Sequence, residues 1–491
     1  MMDRKISTPE AQGIPSWALE KLLKRLEEHR IPLHSILIAR HGHLVLEAYS
    51  RPYGREILHR MFSQTKSLTS LAVGLLISDG VLSLQDKICD YFPEYLPGEV
   101  HPWMEKMTIE HMLMMETCHN RTTYDMNSTT ENWVRSFFQT PPTHCPGTVF
   151  LYDTSSSHTL CALVEKLTGE KMLDFLKRRV LREIGFSEES YIMEDPFGTS
   201  MGGSGLMAKP MDMMRVGLML MNHGRHPDDY GKKDGRQVYP QEYLEKALAF
   251  QVSTTMNSLS DKGYGYYFWQ VPGDGFGMLG MGSQETRCYP KEDVVVVVTA
   301  DTQGMQNGSD IIFQDIFAEV FEHLSDGPLP EDRSAYEALA ERSTRQALPV
   351  LTDWSGENCQ AEVDQVEYFF YPNRQGFRKM CFSVGTGSYA NKWGSLIYEN
   401  ESGCHRLKFG FGWNLCGQFP EYDQRYMASA AWCESNTLYI RIYLVDESLA
   451  AVHIKLNFQE DGHLTVFMQK TEESKFNEFQ GVLNAHSLRV E

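Results

Sequence analysis

Strand patterns lie at both ends of the first two thirds of the chain, and a long helical block separates them. Near the N-terminus, segments 36–39 and 44–47 flank a His-Gly-His turn and predict a β-hairpin. Helical periodicity dominates from Ser63 to about Leu220, and a helix over 311–324 closes the region. The strand patterns that return between them are 264–271, 276–282, 285–289 and 293–299. This order predicts an α+β fold: one antiparallel sheet, assembled from both ends of the segment and flanked by helices, with an all-helical lobe.

A break at 326–330, which reads Asp-Gly-Pro-Leu-Pro, marks a domain boundary. We therefore expect a first domain over 1–325, a polar connector with a helical pattern over 326–347, and a second domain over 348–491. The second domain is rich in alternating strand patterns separated by turn signals. Its clearest strand segments are 438–444, 452–458 and 464–468. The pattern predicts a small β-barrel or β-sandwich, and its aromatic residues are expected in the core.

The charge balance bears on the partners of the chain. The 491 residues include 46 Lys and Arg against 65 Asp and Glu, a net charge of −19. Because phosphate binding needs clustered cations, this balance argues against nucleic acid as a partner. No segment approaches the roughly 18 apolar residues of a membrane span, and the first residues lack the apolar core of a secretory signal. The ten cysteines contain no Cys-x-x-Cys pair, as expected of reduced thiols. We expect a cytoplasmic protein without a membrane partner.

The stretch Ser63-Gln64-Thr65-Lys66 carries the most chemical information. It begins an apolar helical pattern that ends at Asp79-Gly80, so Ser63 is predicted at a helix N-terminus. Residues three apart share a helix face with β-carbons about 5–6 Å apart, so an uncharged Lys66 amine could take the proton of the Ser63 hydroxyl. Unpaired N–H groups at the helix start would favour an oxyanion. A capping serine followed by a solvated lysine is the alternative interpretation.

Two further segments match what a Ser-Lys pair needs, a proton relay and an oxyanion donor. Tyr152 lies on a loop before an apolar helix, where a phenol could point into a cleft; a structural tyrosine is the alternative. Segment 280–284, Gly-Met-Gly-Ser-Gln, precedes a strand of five valines. Glycine inside a strand marks close approach by a backbone or a ligand, and an acyl substrate could lie along this edge. A bulge in the sheet is the alternative.

These three elements occur in the same order in a known family. Over roughly residues 10–325 the chain resembles the serine β-lactamase-like hydrolases of the class C and penicillin-binding type. That group includes family VIII carboxylesterases, D-aminopeptidase-like enzymes and 6-aminohexanoate-dimer hydrolases. The resemblance rests on the Ser-x-x-Lys helix, Pro146-Gly147-Thr148 before Tyr152, Gly203-Ser204-Gly205-Leu206 with Asp212, and the final Gly-x-Gly-x-Gln. It implies a β-lactamase/transpeptidase-like first domain and serine hydrolase activity without a cofactor or metal.

The resemblance also implies a role for each candidate residue. Ser63 would be the acylated nucleophile, Lys66 would take or relay its proton, and Tyr152 would be the acid or base that faces the leaving group. The oxyanion hole would consist of the backbone N–H groups of Ser63 and Ser283. The substrate strand would be formed by Gly280, Met281, Gly282, Ser283 and Gln284.

Two departures from the family pattern bear on specificity. Lactamases and penicillin-binding proteins begin the last motif with Lys-Thr-Gly, whereas Gly280 and Met281 stand here, so the usual anchor of a substrate carboxylate is missing. The second motif often reads Tyr-x-Asn, whereas Asp153 and Thr154 follow Tyr152. Thr154 could donate one hydrogen bond, and Asp153 adds a charge. The Gly-x-Gly-x-Gln form resembles the esterase and 6-aminohexanoate-hydrolase branch, so we expect a small ester, amide or peptide as substrate.

Other functions stay open. One is a D-amino-acid peptidase or weak β-lactamase of the same family. Another, from a different class, is a catalytically inactive, penicillin-binding-like module that binds or senses a ligand. Cys118-His119, with His111 nearby, could suggest a metal or thiol-protease site, but adjacent side chains do not converge geometrically. The physiological substrate, the oligomeric state and the role of the second domain also stay open.

Overall fold

A computed structural model of the chain describes residues 5–254, 263–353, 356–385, 392–472 and 474–488. The chain divides into two compact units. The first consists of Met1–Thr302 and Asn307–Ala347, and the second of Gln303–Gln306 and Leu348–Glu491. Each unit has its own cluster of buried apolar side chains. Among the described residues, no helix combines the length and the hydropathy that a membrane span needs.

The first unit contains helices and strands in mixed order. Its helices are α1 (Ser16–Glu28), α2 (Gln64–Ser78), α3 (Pro102–Lys106), α4 (Ile109–Leu113), α5 (Trp133–Gln139), α6 (Thr154–Thr168), α7 (Met172–Leu176), α8 (Pro210–Met221), α9 (Gln241–Leu248), α10 (Gly308–Asp310), α11 (Ala318–Phe321) and α12 (Arg333–Arg345). Its strands are β1 (Leu33–Arg40), β2 (His43–Tyr49), β3 (His59–Arg60), β4 (Tyr191–Ile192), β5 (Leu206–Ala208), β6 (Trp269–Val271), β7 (Gly275–Gly280), β8 (Gln284–Tyr289) and β9 (Val294–Ala300). Two stretches, Lys177–Leu181 and Ile311–Phe317, are π-helical.

The main sheet is assembled from both ends of the first unit, as the strand pattern predicts. Its six strands are antiparallel in the order β2-β1-β9-β8-β7-β6, and β1 pairs with β9 through register partners such as Ile36 and Val298. Every residue of β1 and β9 is buried, because helices cover both faces of the sheet. On one face α8 approaches so closely that a β-carbon at Gly217 would crowd Val295. On the other, Tyr289 stacks on Phe317 of the π-helical stretch.

The strand expected over 264–271 is shorter in the structure, where β6 covers Trp269–Val271 alone. The preceding residues turn instead: Tyr267 has a left-handed backbone, with φ of 62°. The backbone N–H groups of Tyr266 and Tyr267 donate to the carbonyls of Ala247 and Leu113 rather than to a neighbouring strand. Aromatic composition favoured a strand here, but tertiary hydrogen bonds decided the backbone conformation.

The helix that begins the Ser-x-x-Lys stretch runs through the centre of the first unit. All residues of α2 from Gln64 to Leu76 are buried, so the helix has no solvent-exposed face over this range. It packs against α6, α7 and α9 and against strands β7 and β8. The central position of α2 places its N-terminus between the helical lobe and the sheet.

The second unit is a β-barrel, so the barrel rather than the sandwich is confirmed. It contains α13 (Gln360–Val363) and strands β10 (Glu367–Phe370), β11 (Lys379–Val384), β12 (Trp393–Asn400), β13 (Gly403–Phe411), β14 (Leu415–Gln418), β15 (Arg425–Glu434), β16 (Thr437–Val445), β17 (Leu449–Phe458), β18 (His463–Lys470) and β19 (Gly481–Ser487). A ring of nine strands closes where β13 pairs in parallel with β15, and β14 pairs with β15 outside that ring. Phe409, Phe411 and Trp432 are buried in the core, as expected, and Trp393 and Trp413 are half-buried.

Candidate active site

Ser63 is the N-cap residue of α2, at the position that its sequence pattern predicts. The preceding residue, Phe62, has a left-handed backbone with φ of 45°, a conformation that costs free energy for a bulky side chain. Two bonds hold the turn: Thr65 Oγ1 donates to the Phe62 carbonyl at 2.6 Å, and the Met61 N–H donates to the Leu206 carbonyl at 2.8 Å. The turn leaves Ser63 partly exposed at the head of a buried helix.

Lys66 lies one helical turn beyond Ser63 and is 1% exposed. Its Nζ lies 3.0 Å from Ser63 Oγ and donates to the Gly203 carbonyl at 2.8 Å. Burial lowers the pKa of Lys66 to about 7, and the negative charge of Asp153 opposes that shift. The alternative of a solvated lysine is therefore wrong. Near neutral pH a large fraction of the Lys66 amine is uncharged and can accept the Ser63 proton.

Tyr152 lies on the loop before α6 and faces the same two residues. Lys66 Nζ is 4.7 Å from the centroid of its ring, and the ring stacks on Trp269 at 5.7 Å between centroids. Burial raises the pKa of Tyr152 well above its ordinary value, and a hydrogen bond with Ser63 works against that rise. The phenol consequently stays protonated near neutral pH and can donate a proton.

The end of β7, where the predicted substrate strand begins, lies against Met61, two residues before Ser63. A β-carbon at Gly280 would collide with the carbonyl oxygen of Met61, so this end of β7 requires glycine. Ser283 has φ of 67°, and its hydroxyl is engaged with Thr302 Oγ1 at 2.7 Å. What Ser283 can offer a substrate is therefore its backbone N–H, the group that the family resemblance assigns to the oxyanion hole.

Gln284 holds this turn through side-chain hydrogen bonds to the backbone, a role that the sequence did not assign. Its Nε2 donates to the carbonyls of Met281 and Ala300, at 2.8 and 2.6 Å, and its Oε1 accepts from the Ala300 N–H at 3.1 Å. Gln284 is fully buried. The glutamine at the end of the Gly-x-Gly-x-Gln motif thus ties the turn to β9 instead of contacting a ligand.

Asp153 and Thr154 begin α6 beside Tyr152. Asp153 is fully buried and caps the helix by accepting from the Ser155 N–H at 2.8 Å. Burial raises the pKa of Asp153 to about 6, while hydrogen bonds from Ser155 and the charge of Lys66 oppose the rise. The Thr154 N–H donates to Thr122 Oγ1 at 3.1 Å. The methyl group of Thr154 leaves no room for a β-carbon at Gly203.

Gly202 and Gly203 also have individual roles beside the site that the sequence did not indicate. The Gly203 carbonyl accepts from Lys66, and the Gly202 carbonyl accepts from Thr69 Oγ1 at 2.8 Å. A β-carbon on Gly202 would collide with Cys161, as one on Gly203 would with Thr154. The adjacent glycines were a signal of close backbone approach, whereas nothing in the sequence pointed to Trp269 as the residue that stacks on Tyr152.

Cys118, next to His119, lacks the thiolate form that a nucleophilic cysteine needs. Burial raises the pKa of Cys118 to about 12, so the thiol stays protonated. Contrary to the expectation that these adjacent side chains do not converge, His119 Nε2 lies 3.9 Å from Cys118 Sγ. The same nitrogen lies 2.9 Å from the Phe137 carbonyl oxygen, and burial lowers the pKa of His119 to about 4, so the imidazole is neutral near pH 7. Within the described part of the chain, no group of three or more His, Cys, Asp or Glu side chains is arranged to hold a metal ion.

Comparisons with known proteins bear on the family of the chain. A family model described as Beta-lactamase matches residues 19–316. The 6-aminohexanoate-dimer hydrolase of Paenarthrobacter ureafaciens is 24% identical over 306 residues, which cover 57% of this chain and 74% of that protein. A solved structure from Bacillus anthracis, provisionally named a 6-aminohexanoate-dimer hydrolase, has a TM-score of 0.52 and 22% identity, and covers 63% of this chain and 83% of its own.

A second solved structure, the octameric penicillin-binding protein homologue from Pyrococcus abyssi, is similar over 94% of this chain and 97% of its own. Its TM-score is 0.48, with 16% identity. The family model spans well over half of the 491 residues and includes the Ser-x-x-Lys helix, Tyr152 and the Gly-x-Gly-x-Gln turn. The chain therefore belongs to the Beta-lactamase family.

Proposed function

We propose that the protein is a serine hydrolase that cleaves small esters or amides through an acyl-enzyme. The observation that carries the proposal is the buried Lys66 amine, 3.0 Å from the Ser63 hydroxyl oxygen and uncharged in large part near neutral pH. Such an amine is a base within reach of the proton that must leave. The name of the 24% identical relative, a 6-aminohexanoate-dimer hydrolase, is compatible with cleavage of an amide.

In the first half-reaction, Ser63 Oγ bonds to the substrate carbonyl carbon as its proton passes to Lys66 Nζ. The carbonyl oxygen becomes an oxyanion, which the N–H groups of Ser63 and Ser283 stabilise. When the oxyanion collapses, the bond from carbon to the leaving oxygen or nitrogen breaks. The leaving group takes a proton from the Tyr152 hydroxyl, and Lys66, whose amine lies 4.7 Å from the centroid of the Tyr152 ring, returns a proton to the phenolic oxygen.

In the second half-reaction, water takes the place of the alcohol or amine that has left. Tyr152 and Lys66 accept one proton from this water as its oxygen bonds to the acyl carbon. The tetrahedral intermediate then expels Ser63 Oγ, which regains its proton, and a carboxylic acid is released. Two half-reactions of this kind predict ping-pong kinetics.

We expect the enzyme to prefer substrates without a carboxylate, and Gly280 is the reason. Penicillin-like substrates need a cation opposite their carboxylate, and no side chain fits at this position, because even a β-carbon would meet the Met61 carbonyl. Next to the site lies an aromatic wall in which Trp269 packs on Tyr152 and, at 4.8 Å, on Tyr264. An uncharged, partly apolar ester or amide suits this surface better than an anion.

The test is labelling by a fluorophosphonate, followed by intact-mass measurement, with Ser63→Ala as the control. We expect one adduct on the wild type and none on the variant. A panel of short-chain p-nitrophenyl esters, D-amino-acid amides and a chromogenic cephalosporin then distinguishes an esterase from a D-amino-acid peptidase and a β-lactamase. We expect ester turnover that Ser63→Ala loses and little cephalosporin turnover. Ligand binding by a folded wild type that takes no label would favour the binding module and contradict the hydrolase.

A further inference from the structure

Trp269, the first residue of β6, belongs to a cluster of four aromatic rings that includes Tyr152. Its indole lies edge-on to the rings of Tyr264 and Phe150, at 4.8 and 6.0 Å between centroids, and both of those rings are buried. It stacks on Tyr152 at 5.7 Å, with an angle of 26° between the ring planes. Aromatic rings at such separations stabilise one another. These contacts fix the place of the Trp269 indole relative to Tyr152.

The stacked rings of Tyr152 and Trp269 are not fully covered by the fold. Both side chains pack against the apolar core on one part of their surface and are exposed on another. Tyr152 also forms a hydrogen bond with Ser63, and its ring centroid lies 4.7 Å from Lys66 Nζ. Because the two rings are in contact, they form one continuous, partly exposed aromatic surface that begins at the Ser-Lys pair.

This aromatic surface lies on the side of the substrate that leaves. In the proposed mechanism the acyl carbon bonds to Ser63 Oγ, and Tyr152 gives its proton to the departing oxygen or nitrogen. The alcohol or amine part of the substrate must therefore lie against Tyr152. The indole that stacks on Tyr152 is then the next group that this part of the substrate meets, whereas the acyl chain is bonded to the other side of the carbonyl carbon.

We propose that Trp269 is a specificity-determining residue, which selects esters and amides whose leaving alcohol or amine carries an aromatic ring. Such a ring can stack on the partly exposed indole, or meet it edge-on, at roughly 4.5–7 Å between centroids. A short alkyl group covers less of the same surface and so gains less from it. This inference rests on the proposed function, in which Tyr152 is the acid that faces the leaving group.

The test compares kcat/KM for phenyl acetate and 2,2,2-trifluoroethyl acetate in the wild type, Trp269→Leu and Trp269→Phe. The two esters share an acyl group, and comparing each ester between wild type and variant removes its intrinsic reactivity. Trp269→Leu should lower kcat/KM for the phenyl ester by about tenfold more than for the trifluoroethyl ester, because a ring pair is lost. Trp269→Phe, which keeps a ring, should retain most of the preference.

A second pair of esters, phenyl acetate and phenyl butyrate, varies the acyl chain instead. The ratio of their kcat/KM values should be the same in the wild type and in Trp269→Leu. If Trp269→Leu slows all of these esters equally, Trp269 only holds Tyr152 in place. If the acyl ratio changes while the leaving-group ratio does not, Trp269 contacts the acyl chain. Either result would overturn the inference.

The matched control is Trp17→Leu, at an exposed tryptophan of α1 whose ring lies 4.6 Å from that of His323. All of its ratios should follow the wild type. Should Trp269→Leu not fold, the wild type gives a second measurement. Benzyl alcohol should protect Ser63 from fluorophosphonate at about a tenfold lower concentration than butan-1-ol, and equal protection would contradict the inference. A wild type that takes no label and hydrolyses none of these esters would instead contradict the proposed function.

Discussion

In the proposed mechanism Lys66 must be an uncharged base, and its burial carries a cost in free energy. An amine that is 1% exposed has lost nearly all of its hydration, and its hydrogen bonds to Ser63 and Gly203 replace only part of it. The depressed pKa of Lys66 expresses that cost, because the folded protein resists the charged form. A residue kept at such a cost is expected where its chemistry is used.

The variant Lys66→Met tests both the proposed role of the amine in the reaction and the effect of its burial on stability. Methionine keeps an unbranched chain but removes the amine, so labelling of Ser63 should fall by on the order of 10²–10⁴-fold. Between pH 7 and the ordinary lysine value of 10.5, the unfolded wild type binds a proton that the folded form has released. The free energy of unfolding of the wild type should therefore rise by about 1.4 kcal/mol per pH unit in this window, relative to the variant. Below pH 7 the difference should level off.

Urea unfolding of both proteins at pH 7, 8, 9 and 10 measures this slope. Other titrating groups are shared, so they cancel in the difference between the two proteins. Parallel pH dependences would mean that Lys66 has an ordinary pKa in the folded state, and the assignment of Lys66 as a neutral base would then fail.

At the scale of elements, the candidate active site lies where the start of α2 meets the end of β7 and the turn after it. Each side has a left-handed residue that is not glycine, Phe62 before the helix and Ser283 in the turn. Such conformations persist where surrounding contacts hold them, here the bonds of Thr65 and Gln284. Strained backbone of this kind clusters at active sites and ligand-binding regions.

The variant Gly280→Ala tests whether the contact between the end of β7 and the start of α2 is needed for activity. The added methyl group must displace either the end of β7 or the Met61 carbonyl, and either shift changes the place of the Ser283 N–H. Loss of one oxyanion donor costs about 10²–10³ in kcat. We expect a loss of that order in ester turnover.

Circular dichroism should show a folded protein, and Gly54→Ala is the control, because a β-carbon there meets nothing within 4 Å. Ester turnover by Gly280→Ala at the wild-type rate would show that the strand is not part of the site.

At the scale of the whole molecule, the two units differ in whether their sheets have edge strands. The sheet of the first unit has edges at β2 and β6, whereas the nine-strand ring of the second unit closes on itself through β13 and β15. A closed ring with its own apolar core needs no other element to satisfy its strands.

Residues 348–491 expressed alone are therefore predicted to fold. We expect a β-type far-ultraviolet circular dichroism spectrum and a cooperative thermal transition. The matched control is Trp432→Ala in the same fragment, which deletes a fully buried side chain and should cost about 3–5 kcal/mol. A fragment that is unstructured, with or without Trp432, would contradict the predicted domain division.

Much of the local structure follows from the sequence alone. Ser63 and Lys66 share one helical turn, so their spacing was enough to predict their contact, and the apolar run after them predicted a buried α2. The hairpin of β1 and β2 and the valine strand β9 follow from short-range patterns in the same way. Each of these features depends on residues close together in the chain, where backbone geometry leaves few arrangements.

The tertiary structure decided the chemical state of these residues. The pKa of Lys66 depends first on burial and then on the charge of Asp153, and its amine donates to the Gly203 carbonyl. Asp153 and Gly203 are far from Lys66 in sequence. The turn at Tyr267 is likewise set by carbonyls that the local pattern does not contain. Desolvation and hydrogen bonding are properties of a three-dimensional environment. The sequence by itself determined which residues form the Ser-Lys pair, and only folding determined that Lys66 is buried deeply enough for burial to lower its pKa to about 7.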